Sequence, residues 1–280
     1  YMIVLAVLLV AALYAGLTLF GRLSSPKAEI KKALDLQMEI FQNDMESLWH
    51  NVSTMSILLS EDMIALLEPI LARGGEVIGL PIAAPLSSSG NVMRVAAESL
   101  GAADRVHVVD TKTLSYGIGI MAMKASEMAD AGASVDEIIA TLESMAERVH
   151  VSFVVDTLTY LYRGGRCSGV AALAGNVLRI HPRIAVTDDG SLAPDHKYRG
   201  KLHHVIDAYM DDIMPHLETA DPEYVAIVYS AGLDQKILDG VRQRVEEMHR
   251  FKKIIVGQAG GVITSHCGPG TFGMGYFDAK

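Results

Sequence analysis

Two short segments of the chain carry residue types suited to recognising an anion. The first is Pro85-Leu86-Ser87-Ser88-Ser89-Gly90. It follows an apolar run, Glu76–Ala83, that reads as a strand, and it precedes an amphipathic stretch, Asn91–Leu100, that reads as a helix. A loop in that position sets its backbone N–H groups and hydroxyls where α/β sheets bind ligands, at a helix end that favours negative charge. Ser87, Ser88 and Ser89 would suit a carboxylate or a phosphate, and the same hydroxyls would equally serve as an ordinary helix N-cap. The lysine-containing pattern of a P-loop is absent. The second segment is Thr264-Ser265-His266-Cys267-Gly268-Pro269-Gly270. Gly-Pro-Gly after a β-like run fixes a sharp loop, and His266 held there could donate a hydrogen bond or change charge near neutral pH. A lone histidine is also a common structural residue.

Other candidates carry less. Tyr162-Arg163-Gly164-Gly165-Arg166-Cys167-Ser168 reads as an anion site or as a glycine turn between solvated arginines. Asp110, Asp156 and Asp188-Asp189 show no EF-hand, HExxH or paired-carboxylate spacing, so no metal site is expected. Ser87 and His266 could form a nucleophile and base, but no GxSxG elbow surrounds Ser87.

These residues must be positioned by a folded scaffold, and the composition supplies one. The chain has 280 residues, 50% of them hydrophobic and 20% charged, which suits a substantial core and a two-domain chain. A net charge of -9 with no basic stripe argues against nucleic acid as a partner. An anionic ligand would have to be held by local donors. The two cysteines, Cys167 and Cys267, form no CxxC or zinc spacing and suit a reducing, cytoplasmic setting. Met2 to Phe20 is an uncharged apolar run. It reads either as a buried strand and helix of an α/β domain or as a membrane anchor. Membrane contact is expected to be peripheral at most.

From Glu61 to Val155 helical and strand-like segments alternate, as in a parallel sheet with covering helices. Helices are expected at Glu61–Arg73, Asn91–Leu100, Tyr116–Ala131 and Ser134–Arg148, the last with Ser134 as N-cap. Strands are expected at Glu76–Ala83, Arg105–Val109 and Val151–Val155. Beyond residue 150 the pattern changes. Val170–Leu178, Gly200–Leu217 and Asp234–His249 read as helices, while Pro182–Val186, Tyr224–Tyr229, Lys253–Val256, Gly261–Thr264 and Thr271–Phe277 read as strands. The expected architecture is therefore α/β with two domains. Residues 1–150 form an N-terminal parallel-sheet domain bearing the Ser-rich loop. Residues 151–280 form a C-terminal domain with a mixed or antiparallel sheet, bearing the His266 loop.

Taken together, these motifs resemble the DegV family of bacterial fatty-acid-binding proteins. The family's Leu-Ser-Gly-Thr loop and following Ala-Ala-Glu are matched by Leu86-Ser87-Ser88-Ser89 and Ala96-Ala97-Glu98, with Ser88 in place of the glycine. Further matches are Val108-Val109-Asp110-Thr111, Val155-Asp156-Thr157-Leu158-Thr159-Tyr160-Leu161 with Gly164-Gly165-Arg166, and His181-Pro182-Arg183-Ile184. Lys197-Tyr198-Arg199-Gly200 and Ser265-His266-Cys267-Gly268-Pro269-Gly270 complete the set, and the match runs from about Glu39 to the C-terminus.

The resemblance implies a lipid-binding protein with no enzymatic activity and no cofactor. Its long-chain fatty acid is held at the carboxylate by Ser87, the backbone at Ser88, and His266, with the tail in an interior tunnel between the domains. It implies presentation of the acid to a separate fatty-acid kinase, with Arg199 as a docking residue. A family Thr-Ser pair aligns with Met55-Ser56, which leaves Thr54 or Ser56 to supply a further donor. Ile118, Met121, Leu173, Val177 and Phe272 are candidates to line the tail, although such residues also form ordinary cores. The energetics are reasonable. Burying about fifteen methylenes at ~0.8 kcal/mol each yields roughly 12 kcal/mol, against association and ordering costs of ~4–15 kcal/mol. A serine-dependent hydrolase or acyltransferase built on Ser87 and His266 is the alternative.

Overall fold

The computed structural model describes residues 61–165 and 180–279, which fall in one compact unit, Leu59–Lys280. Met2–Phe20, Thr54, Ser56, Arg166 to Ser168 and the stretch Val170–Leu178, with Leu173 and Val177, lie outside the described residues. Residues 61–71 are helical. There follow β1 (Val77–Gly79), α1 (Ser89–Ser99), β2 (Val106–Val108), α2 (Tyr116–Asp130) and α3 (Val135–Ala146). Next come β3 (Val149–Val154), α4 (Thr159–Gly164), β4 (Ile180–Val186), β5 (Leu192–Arg199) and α5 (Leu202–Thr219). The chain closes with β6 (Tyr224–Tyr229), α6 (Gln235–Glu247), β7 (Lys253–Gln258), α7 (Gly261–Cys267) and β8 (Phe272–Phe277).

The α/β class is as expected, with a small parallel sheet and a larger mixed one. β1 and β2 pair in parallel, linked by α1. The larger sheet has six strands in the order β5-β4-β3-β8-β6-β7. Its β6–β7 pair is parallel and the other pairs are antiparallel. Ser134 caps α3 through a capping box. Its hydroxyl accepts the Glu137 N–H while the Glu137 carboxylate accepts the Ser134 N–H at 2.8 Å. Ile138, Leu142, Met145 and Ala146 then face the core at helical spacing.

Three elements differ from the sequence expectation. Gly261–Thr264 is not a strand but the start of α7. The β-branched residues there suggested a period of two, whereas the residues that turn inward, Ile263 and Cys267, are four apart and lie on one helical face. β5 was not anticipated. As an edge strand it buries only Leu192 and Tyr198 and exposes Asp195, His196 and Lys197, which hides the alternation. A bidentate pair, Arg183 to Asp195 at 2.8 and 2.9 Å, ties it to β4. α4 is a short helix that stops at Gly165, which has a φ of 65°.

β8 organises the larger sheet, with all its residues buried. Phe272, Met274 and Tyr276 belong to a core with Val205, Ile206, Tyr209, Ile213 and Leu217 of α5. Phe277 joins a second core with Met121, Met145, Tyr224 and Ala226. The fully buried Tyr209 joins α5 to two strands at once. Its hydroxyl donates to the Ser152 carbonyl at 2.9 Å and accepts the Met274 N–H at 3.1 Å. The Ser152 hydroxyl lies 2.9 Å away and completes its bonding. Replacing Tyr209 with Phe keeps the ring but leaves these buried groups unpaired, so denaturant unfolding should show a loss of ~1–3 kcal/mol.

Candidate functional site

The Ser87 loop is held from beneath by the chain that follows β2. Ala83 N–H donates to the Thr113 carbonyl at 2.9 Å, and the Thr111 hydroxyl donates to the Pro81 carbonyl at 2.7 Å. The Asp110 carboxylate accepts the Ala84 N–H at 3.4 Å and the Lys112 N–H at 3.1 Å. Within the loop, Ser87 N–H is directed to Ala83 O, and Ser87 Oγ accepts the Ser89 N–H at 3.2 Å. Ser88 is exposed and makes no side-chain cap to α1. Ser89 Oγ is buried without a hydrogen-bond partner.

His266 lies in the last turn of α7, half-buried, with Nδ1 buried and without a partner. The turn after it is set by two glycines with positive φ, Gly268 at 88° and Gly270 at 72°. A Cβ at Gly268 would also sit 2.4 Å from the Tyr160 ring. Ser230 braces the turn. Its hydroxyl donates to Gly268 O at 2.7 Å and accepts the Thr271 N–H at 2.9 Å. Leu86 and Cys267, the neighbours of Ser87 and His266, belong to one apolar cluster with Ala83, Leu114, Phe153 and Leu161. Among the described residues Ser87 and His266 share no hydrogen bond.

Below this end lies a narrow apolar cleft of about 30 Å³. Leu114 to Gly117, at the start of α2, form one wall, and Ile263 and Cys267 of α7 another. The floor is the larger sheet, with Val151 and Phe153 of β3, Val228 of β6, and Gly273 and Gly275 of β8. Met121 and Phe272, candidates for the tail lining, are instead fully buried in the two cores and do not line this cleft. Phe272 is on the α5 side because successive strand residues face opposite ways. Ile118 is half-buried and outside the lining.

Sequence reading did not find Leu114, Ser230, Thr271, Gly273 or Gly275. The Phe-Gly-Met-Gly-Tyr-Phe alternation was the available signal for the last two. Arg199 is exposed at the end of β5. Among the described residues no His/Cys/Asp/Glu cluster could hold a metal ion, and no helix is long and apolar enough to cross a membrane.

The Ser230 brace generates a test. Ser230→Ala strands the buried Thr271 N–H, and we expect a stability loss of ~1–3 kcal/mol in equilibrium unfolding. A matching decrease in protection of the 268–271 amides should appear in hydrogen exchange.

The sequence model of the DegV family, described as uncharacterised proteins, matches residues 28–279. A DegV domain-containing protein of Deinococcus radiodurans is 32% identical over 204 residues, 73% of this chain and 70% of its own length. Another from Streptomyces coelicolor is 32% identical over 200 residues, 71% of this chain and 68% of its own. Among solved structures, a DegV family protein from Thermus thermophilus, described for its fatty acid binding, superposes with a TM-score of 0.69 at 28% identity. That match covers 79% of this chain and 77% of the other. DegV from Bacillus subtilis, described as a fatty acid binding protein, shares the fold with a TM-score of 0.64 at 23% identity, covering 79% and 77% of the two chains. With the family pattern spanning nearly the whole chain and the fold reproduced around it, the chain belongs to the DegV family.

Proposed function

We propose that this protein binds a long-chain fatty acid without transforming it. The carboxylate is held by Ser87, the backbone at Ser88, and His266, and the tail runs along the β8 floor. Residues 1–150 supply the Ser-rich loop, and residues 151–280 supply the sheet floor and the His266 turn. The observation that carries this reading is the apolar cleft that begins beside Cys267 and Thr271, next to His266, and extends to Gly275. Fatty acid binding in the Thermus thermophilus relative supports it. A hydrolytic role is less well supported. A serine nucleophile needs its base within hydrogen-bond reach, and among the described residues Ser87 and His266 share no hydrogen bond.

A carrier of this kind hands its acid to another protein. We propose a separate kinase that phosphorylates the bound carboxylate, docking at the exposed Arg199.

Native mass spectrometry of the purified chain should detect a bound long-chain acid, and delipidated protein should take one up in a titration. Ser87→Ala and His266→Ala each remove one contact to a charged group, worth ~1.5–3 kcal/mol, so each should weaken binding roughly 10- to 100-fold. Arg199→Glu should leave acid binding intact while slowing acyl-phosphate formation by an added fatty-acid kinase. Delipidated protein that takes up no long-chain fatty acid would overturn the proposal, and labelling of Ser87 by a serine-directed probe would favour the hydrolase.

A further inference from the structure

The floor of the cleft is ruled into rows by the strand register. Nearest the His266 turn, Ser230 N–H meets the Thr271 carbonyl at 2.9 Å. The next row on the cleft face is Phe153–Gly273–Val228, and the one after it is Val151–Gly275–Ala226. In these two rows the middle residue has no side chain, so a ligand could lie against the backbone of β8. The following residue on the same face is Phe277, paired with Val149 and packed among Met121, Met145, Tyr224 and Ala226. From Thr271 to Gly275 the strand advances ~13 Å at ~3.3 Å per residue.

Past Phe277 the surroundings change from apolar to charged. Phe277, Met145 and Tyr224 also line a separate hollow of about 380 Å³, edged by Lys124, Arg148, Lys252, Asp221 and Glu223. Lys124 and Glu223 pair across it at 2.7 Å. An apolar tail reaching that far would displace Phe277 and enter a salt-bridged hollow, where it would gain little from leaving water.

We infer that β8 is a chain-length ruler for the acyl tail, with Gly273 and Gly275 as its open track and Phe277 as its end stop. The inference rests on the fatty-acid reading and adds the residues that set which acids are accepted. The two glycines are not equivalent. A Cβ on Gly273 would lie 2.7 Å from both Phe153 Cβ and Ser152 O, so that position is closed to any side chain. A Cβ on Gly275 would rest at 3.6 Å from Val151 Cγ2 and 3.7 Å from Ala226 Cβ, which is ordinary contact. Gly275 is therefore where a substitution shortens the track without splitting the sheet.

The test measures binding of a homologous series of saturated straight-chain acids to the delipidated full chain, by displacement of a fluorescent fatty acid. Gly275→Val should shift the affinity ratio of shorter over longer acids by 10-fold or more, and Gly275→Ala should shift it less in the same direction. Phe277→Leu, which shrinks the stop, should shift the ratio toward longer acids. Gly240→Ala, on α6 where an added Cβ would meet nothing within 4 Å beyond its own helix, should leave the profile unchanged. Circular dichroism confirms folding for each variant, and the alanine variant carries the test if the valine one does not fold. If the parent binds acids and the folded Gly275 and Phe277 variants keep its profile, the ruler alone is overturned. If the parent binds none of them, the fatty-acid reading falls and takes the ruler with it.

Discussion

The hydroxyl of Tyr209 holds the centre of the larger sheet, and much of the rest depends on it. It reaches from α5 to the Ser152 carbonyl of β3 and the Met274 N–H of β8, two residues directly opposite in the ladder. Burial pushes the phenol well above its ordinary pKa, so it remains a neutral donor across the working pH range. A buried hydroxyl left unpaired would be costly, and here every capacity of the group is used. This anchors Phe272, Met274 and Tyr276 against α5. With its stability drawn from that side, β8 can carry glycines on the other, and Gly273 and Gly275 line the cleft floor.

At the polar end the structure combines rigid backbone with unused polar capacity. The turn after His266 is constrained by two positive-φ glycines and by Ser230, and the Ser87 loop is tied down from Thr111 and Thr113. Around these supports, Ser89 Oγ, Thr113 Oγ1 and His266 Nδ1 are buried without partners. Buried polar atoms are nearly always paired, so these three stand out among the described residues.

The motifs that carry the family resemblance divide into two kinds. Some are scaffolding. Asp110 and Thr111 brace the serine loop, Arg183 fastens the edge strand, and the Tyr198 hydroxyl donates to Asp212 at 2.6 Å. The buried His181 faces the carbonyls of Val155 at 3.1 Å and Gly200 at 3.2 Å, linking the end of β3 to the loop before α5. Others are not scaffolding of this kind: Arg199 is exposed, Cys267 lines the cleft, and Ser87 and His266 are half-buried. A motif spread over the chain in this way reports the fold through the first group, while the second has no such scaffolding role.

The sequence by itself determined the local elements whose causes are local. The Ser134–Glu137 capping box marks its helix, the apolar face of α5 is visible at 3.6-residue spacing, and Tyr224–Tyr229 reads as a buried strand because it is one. It also singled out Ser87 and His266, since serine after a strand and histidine before Gly-Pro-Gly are patterns within a few residues. Tertiary structure decided what depends on partners distant in the chain. Gly261–Thr264 is helical, with Ile263 and Cys267 lining the cleft from one helical face, and β5 is a strand because β4 is there to pair with. Whether an apolar residue such as Phe272 faced the cleft or the α5 core depended on strand parity. The cleft itself was set by registers joining residues more than 100 positions apart, such as Phe153 and Gly273. Spacing along a chain records the period of one element, but a cavity is the space left between elements, and only their packing defines it.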